Sequence, residues 1–205
     1  SIVGIAVGAA MAGLRPVAEI QFADFIHSAI DQIINEAAKI RYRSNNGYAC
    51  PIVIRAPYGA GIGGGLYHSQ SIEALFFGTP GLKIVVPSTP YDLKGLLTAA
   101  VADPDPVLFL EHKRSYRLIK GDVPDAEHMI RIGKADIKHK GSQATVVTYG
   151  MMVHDALAVA ERLAVEGLSV EVLDLRTLHP MDEAAIVQSV RKTGRVLIAH
   201  EDNLT

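Results

Sequence analysis

The chain has 205 residues, 49% of them apolar and 20% charged, with a formal net charge of −2. That composition can build a globular core, and it lacks the clustered Lys and Arg that a phosphate backbone demands, so nucleic-acid binding is not expected. The single cysteine, Cys50, excludes an intrachain disulfide and, at the head of an apolar strand, reads as a small buried hydrophobe suited to a reducing compartment.

No apolar run approaches the roughly 18 residues of a membrane span. Ser1–Leu14 is apolar and glycine-rich but has no basic leader, so it is expected to form a buried helix, packed closely through the Gly4/Gly8 face. The chain starts inside this element and stops at His200–Thr205 without a capping element, so truncation at both ends is expected. Pro16–Gln21 reads as a strand. Asp24 is the expected N-cap of a long helix from Phe25 to Arg43, in which Ile26, Ala29, Ile30, Ile33, Ile34 and Ala37 recur at helical spacing. The turn cluster Ser44-Asn45-Asn46-Gly47 ends it.

A strand Pro51–Ile54, closed by Arg55, leads into the loop around which the chain is organised, Ala56–Ser71 (APYGAGIGGGLYHSQS). Its five glycines permit positive φ and close backbone approach to a ligand. His68, at the end of the loop and at the start of a short helix reaching Phe77, is a candidate acid/base group, although a helix-capping histidine would look the same. A strand Gly81–Pro87 follows, then a helix Tyr91–Val101 capped by Ser88 or Thr89, the rigid break Asp103-Pro-Asp-Pro106, and a strand Val107–Leu110. Glu111–Lys140 is charged and aperiodic, a linker with one short strand at Met129–Ile132. A second unit then alternates strand, helix, strand, helix and strand at Ala144–Tyr149, Met151–Val165, Leu168–Leu173, Met181–Lys192 and Val196–Ala199. Such alternation predicts α/β units with parallel sheets and ligands at the carboxyl ends of the strands.

Gly59-x-Gly61-x-x-Gly64 matches the dinucleotide fingerprint by letter. The acidic residue expected about 20 positions on is missing, since Ile84-Val-Val-Pro87 stands there, so nicotinamide binding is a minor reading. The eight histidines show no metal-ligand spacing. Asp103 and Asp105 could offer oxygens to a cation, but spacing alone favours a turn. There is no P-loop and no nucleophile elbow.

The runs AEIQFADFIHSAIDQIINEAAKIRYRS, IVIRAPYG, LYHSQSIEALF, GLKIVVPSTPYDLKGLL and DPDPVLFLEHK resemble the β subunit of thiamine-diphosphate-dependent 2-oxo acid dehydrogenases, the E1 component. VEVLDLRTLHPMD and KTGRVLIAHE look like the second domain of that family. The resemblance implies a transketolase-like pyrimidine-binding domain over residues 1–120, a linker over 121–140 and an incomplete transketolase C-terminal domain over 141–205. It implies an α2β2 heterotetramer in which thiamine diphosphate is shared with an α chain that holds Mg2+. The absence of Gly-Asp-Gly here agrees, because Gly121-Asp122 is followed by valine. By the same resemblance Phe25 packs on the aminopyrimidine, where several relatives have tyrosine, and His68 is the active-site histidine of reductive lipoyl acylation. Ile52, Ala100, Val101, Asp103 and Asp105 match positions around a structural K+, although relatives often carry Asn at position 105. The family glutamate that bonds the pyrimidine lies just upstream of the segment matching Ser1–Gly4. The fragment alone is therefore expected to be inactive.

Partners implied are the α subunit, a lipoyl-bearing E2 acyltransferase and a 2-oxo acid. Tyr67 and Tyr116-Arg117 lean towards branched-chain amino acid degradation, with a pyruvate or acetoin enzyme as the runner-up and a non-catalytic assembly module as a different class. The setting is the cytoplasm if bacterial and the mitochondrial matrix if eukaryotic.

Overall fold

A computed structural model describes residues 2–202. Ser1, at the start of the expected first helix, and Asn203–Thr205, in the last expected stretch, lie outside the described residues. The first sheet has the strand order Val17–Glu19, Val53–Tyr58, Val107–His112, Lys83–Val85, Thr177–His179, and the second Asp136–His139, Val170–Asp174, Ala144–Thr148, Val196–Ile198.

Helix α1 (Ile2–Met11) buries one face, Val3, Ala6, Val7 and Ala10. The expectation of a wholly buried, glycine-packed helix is corrected: Ile2, Ile5 and Gly8 face outwards, and a Cβ added at Gly8 would meet nothing. Strand β1 (Val17–Glu19) pairs parallel with β2 (Val53–Tyr58), which pairs parallel with β4 (Val107–His112), itself parallel to β3 (Lys83–Val85). β2 runs past Arg55 rather than ending there. The charge is tolerated because the guanidinium meets Glu111 at 2.6 Å and Glu19 at 3.0 Å within the sheet. β4 is buried along its whole length, as a central parallel strand covered on both faces should be.

The expected single helix from Phe25 to Arg43 is instead a 3-10 segment (Ala23–Ala29), a π segment (Gln32–Ala37) and a short α2 (Ile40–Arg43). The apolar period survives, and Ile26, Ile33 and Ala37 are buried in the main core. Asp24 does not cap this element, because its carboxylate bonds elsewhere. Only Leu66–His68 and α3 (Glu73–Phe77) are helical in the expected His68–Phe77 helix, with residues 69–72 in irregular backbone between them. Helix α4 (Pro90–Ala102) is capped by Thr89, whose side chain accepts from Asp92 N at 3.1 Å.

A short helix α5 (Ser115–Leu118) follows β4. The segment at Met129–Ile132 is not a strand. Ile130 and Ile132 pack on the α4 core, and the strand lies later, at β5 (Asp136–His139). β6 (Ala144–Thr148), helix α6 (Met152–Val165), β7 (Val170–Asp174), helix α7 (Glu183–Thr193) and β9 (Val196–Ile198) follow the predicted alternation. One strand was not predicted. β8 (Thr177–His179) leaves the second unit and pairs antiparallel with β3, at the edge of the first sheet.

Candidate functional site

The loop after β2 begins where Gly59 takes φ +87°, with His112 packed so close that an added Cβ would sit 2.2 Å from its Nε2. Only glycine fits there. The loop closes on itself through Gly59 N–H donating to Gln70 O at 3.0 Å. His68 follows a 3-10 turn and is half-buried. Its Nδ1 lies 3.1 Å from the Gly64 carbonyl oxygen. A carbonyl can only accept, so Nδ1 carries the proton and the Nε2 lone pair is left for chemistry.

Phe25, 43 residues earlier, is brought to the same place. Its ring is 5.8 Å from the imidazole at 89°, and Phe22 stands edge-on at 4.8 Å. Phe25 is 47% exposed, so an apolar face is open beside an imidazole with a free nitrogen. Phe25 lines a cavity of about 240 Å3 with Ile20, Gln21, Ser28 and Ala29. Two further cavities, of about 620 Å3 lined by Phe22, Ile62, Lys113, Arg114 and Arg117 and of about 370 Å3 lined by Ala60, Leu66, Gln70 and Glu201, are walled by chain neighbours of the pair rather than by Phe25 or His68. These features suit a partly apolar ring system.

Sequence reasoning missed Asp24 and Lys113. Asp24 Oδ1 accepts from Ser69 N and Gln70 N, both at 3.1 Å, and Lys113 Nζ lies 3.9 Å from Asp24 Oδ2. Burial lowers the Lys113 pKa, an effect offset by the charges of Asp24 and Glu201. Nothing in the sequence signals this contact, because the residues are 45 and 89 positions apart in the chain.

The expected cation positions also converge, at the far end of β2 and α4. The Arg15 guanidinium donates to Val101 O at 2.8 Å and to Asp103 O at 3.0 Å. Lys83 Nζ meets Asp103 Oδ1 and Arg41 Nε meets Asp105 Oδ1, each at 2.5 Å. Ile52 O accepts from Val107 N at 2.9 Å, and Ala100 O from Asp103 N at 3.3 Å. The Arg15 guanidinium thus serves the Val101 and Asp103 carbonyls, and backbone N–H groups serve those of Ile52 and Ala100. Among the described residues no cluster of three or more His, Cys, Asp or Glu side chains is placed to hold a metal. Cys50, buried beside this corner, has its thiol pushed up to about 11 by burial and then by the Asp105 charge, which suits the inert reading.

Residues 1–119 match the family profile for the transketolase pyrimidine binding domain, and residues 133–205 the profile for the transketolase C-terminal domain. The chain belongs to the transketolase pyrimidine-binding-domain family. It is 63% identical over 202 residues to the 2-oxoisovalerate dehydrogenase subunit beta of Bacillus subtilis (strain 168), covering 98% of this chain and 62% of that protein. It is 46% identical to the pyruvate dehydrogenase E1 component subunit beta of the same organism, over 97% of this chain and 61% of that one. It is 49% identical to the acetoin:2,6-dichlorophenolindophenol oxidoreductase subunit beta of Cupriavidus necator, over 97% and 59%. A solved structure described as a split gene transketolase, inactive beta4 tetramer, superposes with a TM-score of 0.79 at 28% identity, covering 97% of this chain and 61% of that one. This transketolase-type chain therefore spans about six tenths of the length of the relatives it matches. None of its described helices is long and apolar enough to cross a membrane.

Proposed function

We propose that the chain is part of the β subunit of a 2-oxo acid dehydrogenase E1 component, of the branched-chain type. Its reaction is oxidative decarboxylation of a branched 2-oxo acid with acyl transfer to a lipoyl group on an E2 acyltransferase. The observation that carries this reading is the Phe25–His68 pair, assembled from distant segments with the Phe25 ring half exposed. Identity of 63% to a 2-oxoisovalerate subunit, against 46% and 49% to pyruvate and acetoin subunits, supports the branched-chain choice.

In this reading thiamine diphosphate would be held between Phe25 of this chain and an α subunit and would supply, when bound, the carbanion chemistry that decarboxylation of a 2-oxo acid needs. An α subunit completes the site in an α2β2 assembly and holds the Mg2+ and the diphosphate. The Phe25 ring packs on the aminopyrimidine, where the loss of a tyrosine hydroxyl leaves the stacking face intact. His68 donates and accepts a proton through Nε2 near the lipoyl sulfur, with its tautomer fixed by Gly64 O. The structural K+ implied by the resemblance competes with Arg15 for the Val101 and Asp103 carbonyls. The chain works in the cytoplasm if bacterial.

The test is His68→Ala in the full-length β subunit, assembled with its α partner. Lipoyl acylation should fall by about 10²- to 10⁴-fold while decarboxylation read with an artificial electron acceptor persists. Unchanged acylation removes the role of His68. A kcat/KM for pyruvate above that for 3-methyl-2-oxobutanoate replaces the branched-chain reading with the runner-up.

A further inference from the structure

Asp24 lies in the first turn of the 3-10 segment, two residues past its N-cap Phe22, and its carboxylate bonds to residues 69 and 70. Its side chain is 1% exposed and Lys113 is 5% exposed. Oδ1 takes the two backbone N–H groups that directly follow His68, at 3.1 Å each. Oδ2 and Lys113 Nζ have no hydrogen bond and face one another at 3.9 Å. The same Nζ lies 5.2 Å above the Phe22 ring, whose edge meets His68.

Two independent lines thus run from this ion pair to the imidazole. One passes through the Asp24 carboxylate to the backbone of residues 69 and 70. The other passes through the Phe22 ring. Residues 69–72 belong to no helix or strand, so neither N–H has a ladder partner to hold it. A buried carboxylate is tolerated where a cation and hydrogen-bond donors face it, and charge-assisted bonds are stronger than neutral ones.

We propose that Asp24 is a positioning residue for His68, and that Lys113, facing its second oxygen, holds the Asp24 carboxylate in the place from which it grips the turn. The inference rests on the proposed role of His68. It adds that this role depends on a buried ion pair which touches no substrate atom.

The experiment uses the full-length subunit assembled with its α partner. Asp24→Ala should lower lipoyl acylation by about 10- to 100-fold, the scale of a small misplacement of a reacting group. Decarboxylation read with an artificial acceptor should change less than about 3-fold, because that half-reaction does not use His68 in this reading. Asp24→Asn keeps an acceptor oxygen and should recover a large part of the loss. Lys113→Met should fall between the two.

Amide hydrogen exchange gives a readout independent of turnover. The Ser69 and Gln70 N–H groups should exchange about 10-fold faster in Asp24→Ala, the equivalent of one charge-assisted hydrogen bond, while β4 keeps its protection. Equal loss in both half-reactions shows a merely structural residue and overturns the proposal, as does unchanged exchange at 69 and 70. If His68→Ala leaves acylation intact while exchange still responds to Asp24, the tether stands and the catalytic reading of His68 fails. Should Asp24→Ala not fold, Asp24→Asn and Lys113→Met carry the same comparison.

Discussion

Two ends of the first sheet handle charge in opposite ways. At the Asp103–Asp105 corner, Arg15, Arg41 and Lys83 meet each carboxylate and the neighbouring carbonyls directly. At the His68 end the polar groups are left incomplete. Asp24 Oδ2, Lys113 Nζ and both oxygens of Glu73 are buried without a hydrogen bond of normal geometry. Buried polar groups are ordinarily satisfied, so a cluster of exceptions marks the place where stability gives way to function. The charges of the corner are met within the chain, and the loop end leaves several buried polar atoms without a hydrogen bond.

The largest effect should come from forcing a side chain into the loop end. Gly59→Ala adds a Cβ against His112 at a φ of +87° and should cost about 4 kcal/mol, read as a lowered urea midpoint. Next comes Glu73. Burial, with the charges of Asp202 and Glu201 nearby, pushes its carboxyl from 4.5 up to about 7. The folded state therefore prefers the neutral acid. The stability it contributes is complete below pH 4.5 and is lost as pH rises through about 7. Glu73→Gln should remove that part of the slope and leave the protein about 3 kcal/mol more stable at pH 8, by denaturant titration at several pH values. Asp174, also pushed up to about 7 by burial, supplies a slope of the same sign that this substitution leaves in place.

The finished corner should be damaged less, and in a different manner. Arg15→Ala frees the two carbonyls and should cost about 2 kcal/mol in Na+ buffer. A gain in Tm on changing Na+ for K+ in this variant, absent from the parent, would show that the guanidinium stands in an ion's place. Equal Tm in both salts leaves no site for the ion. The smallest change is Thr89→Ala, which removes the α4 cap at about 1 kcal/mol and should leave the loop end untouched by amide exchange.

The alternation of strands and helices was legible, because apolar runs and their spacing are local properties. So were the glycine loop and the Thr89 cap. The family resemblance also named Phe25 and His68, and the structure brings their rings together. What the sequence hid was non-local. Asp24 has the look of a cap, and only the fold brings residues 69 and 70 to it. Arg55 looks like a strand terminator until Glu111 and Glu19 arrive from two neighbouring strands. In the stretch from Phe25 to Arg43 the apolar period predicts a helix correctly in outline, yet period alone carries no hydrogen-bond register and cannot distinguish 3-10 and π turns from α.

Strand β8 spans three residues and hydrogen-bonds across to β3 from the other half of the chain. It acts as a clasp. The halves share a ladder rather than only a greasy contact, so a hinge opening between them would have to tear main-chain bonds. A chain cut ahead of Thr177 would leave β3 with a naked rim of amides and carbonyls, a template for fibrils or strand exchange with a stranger.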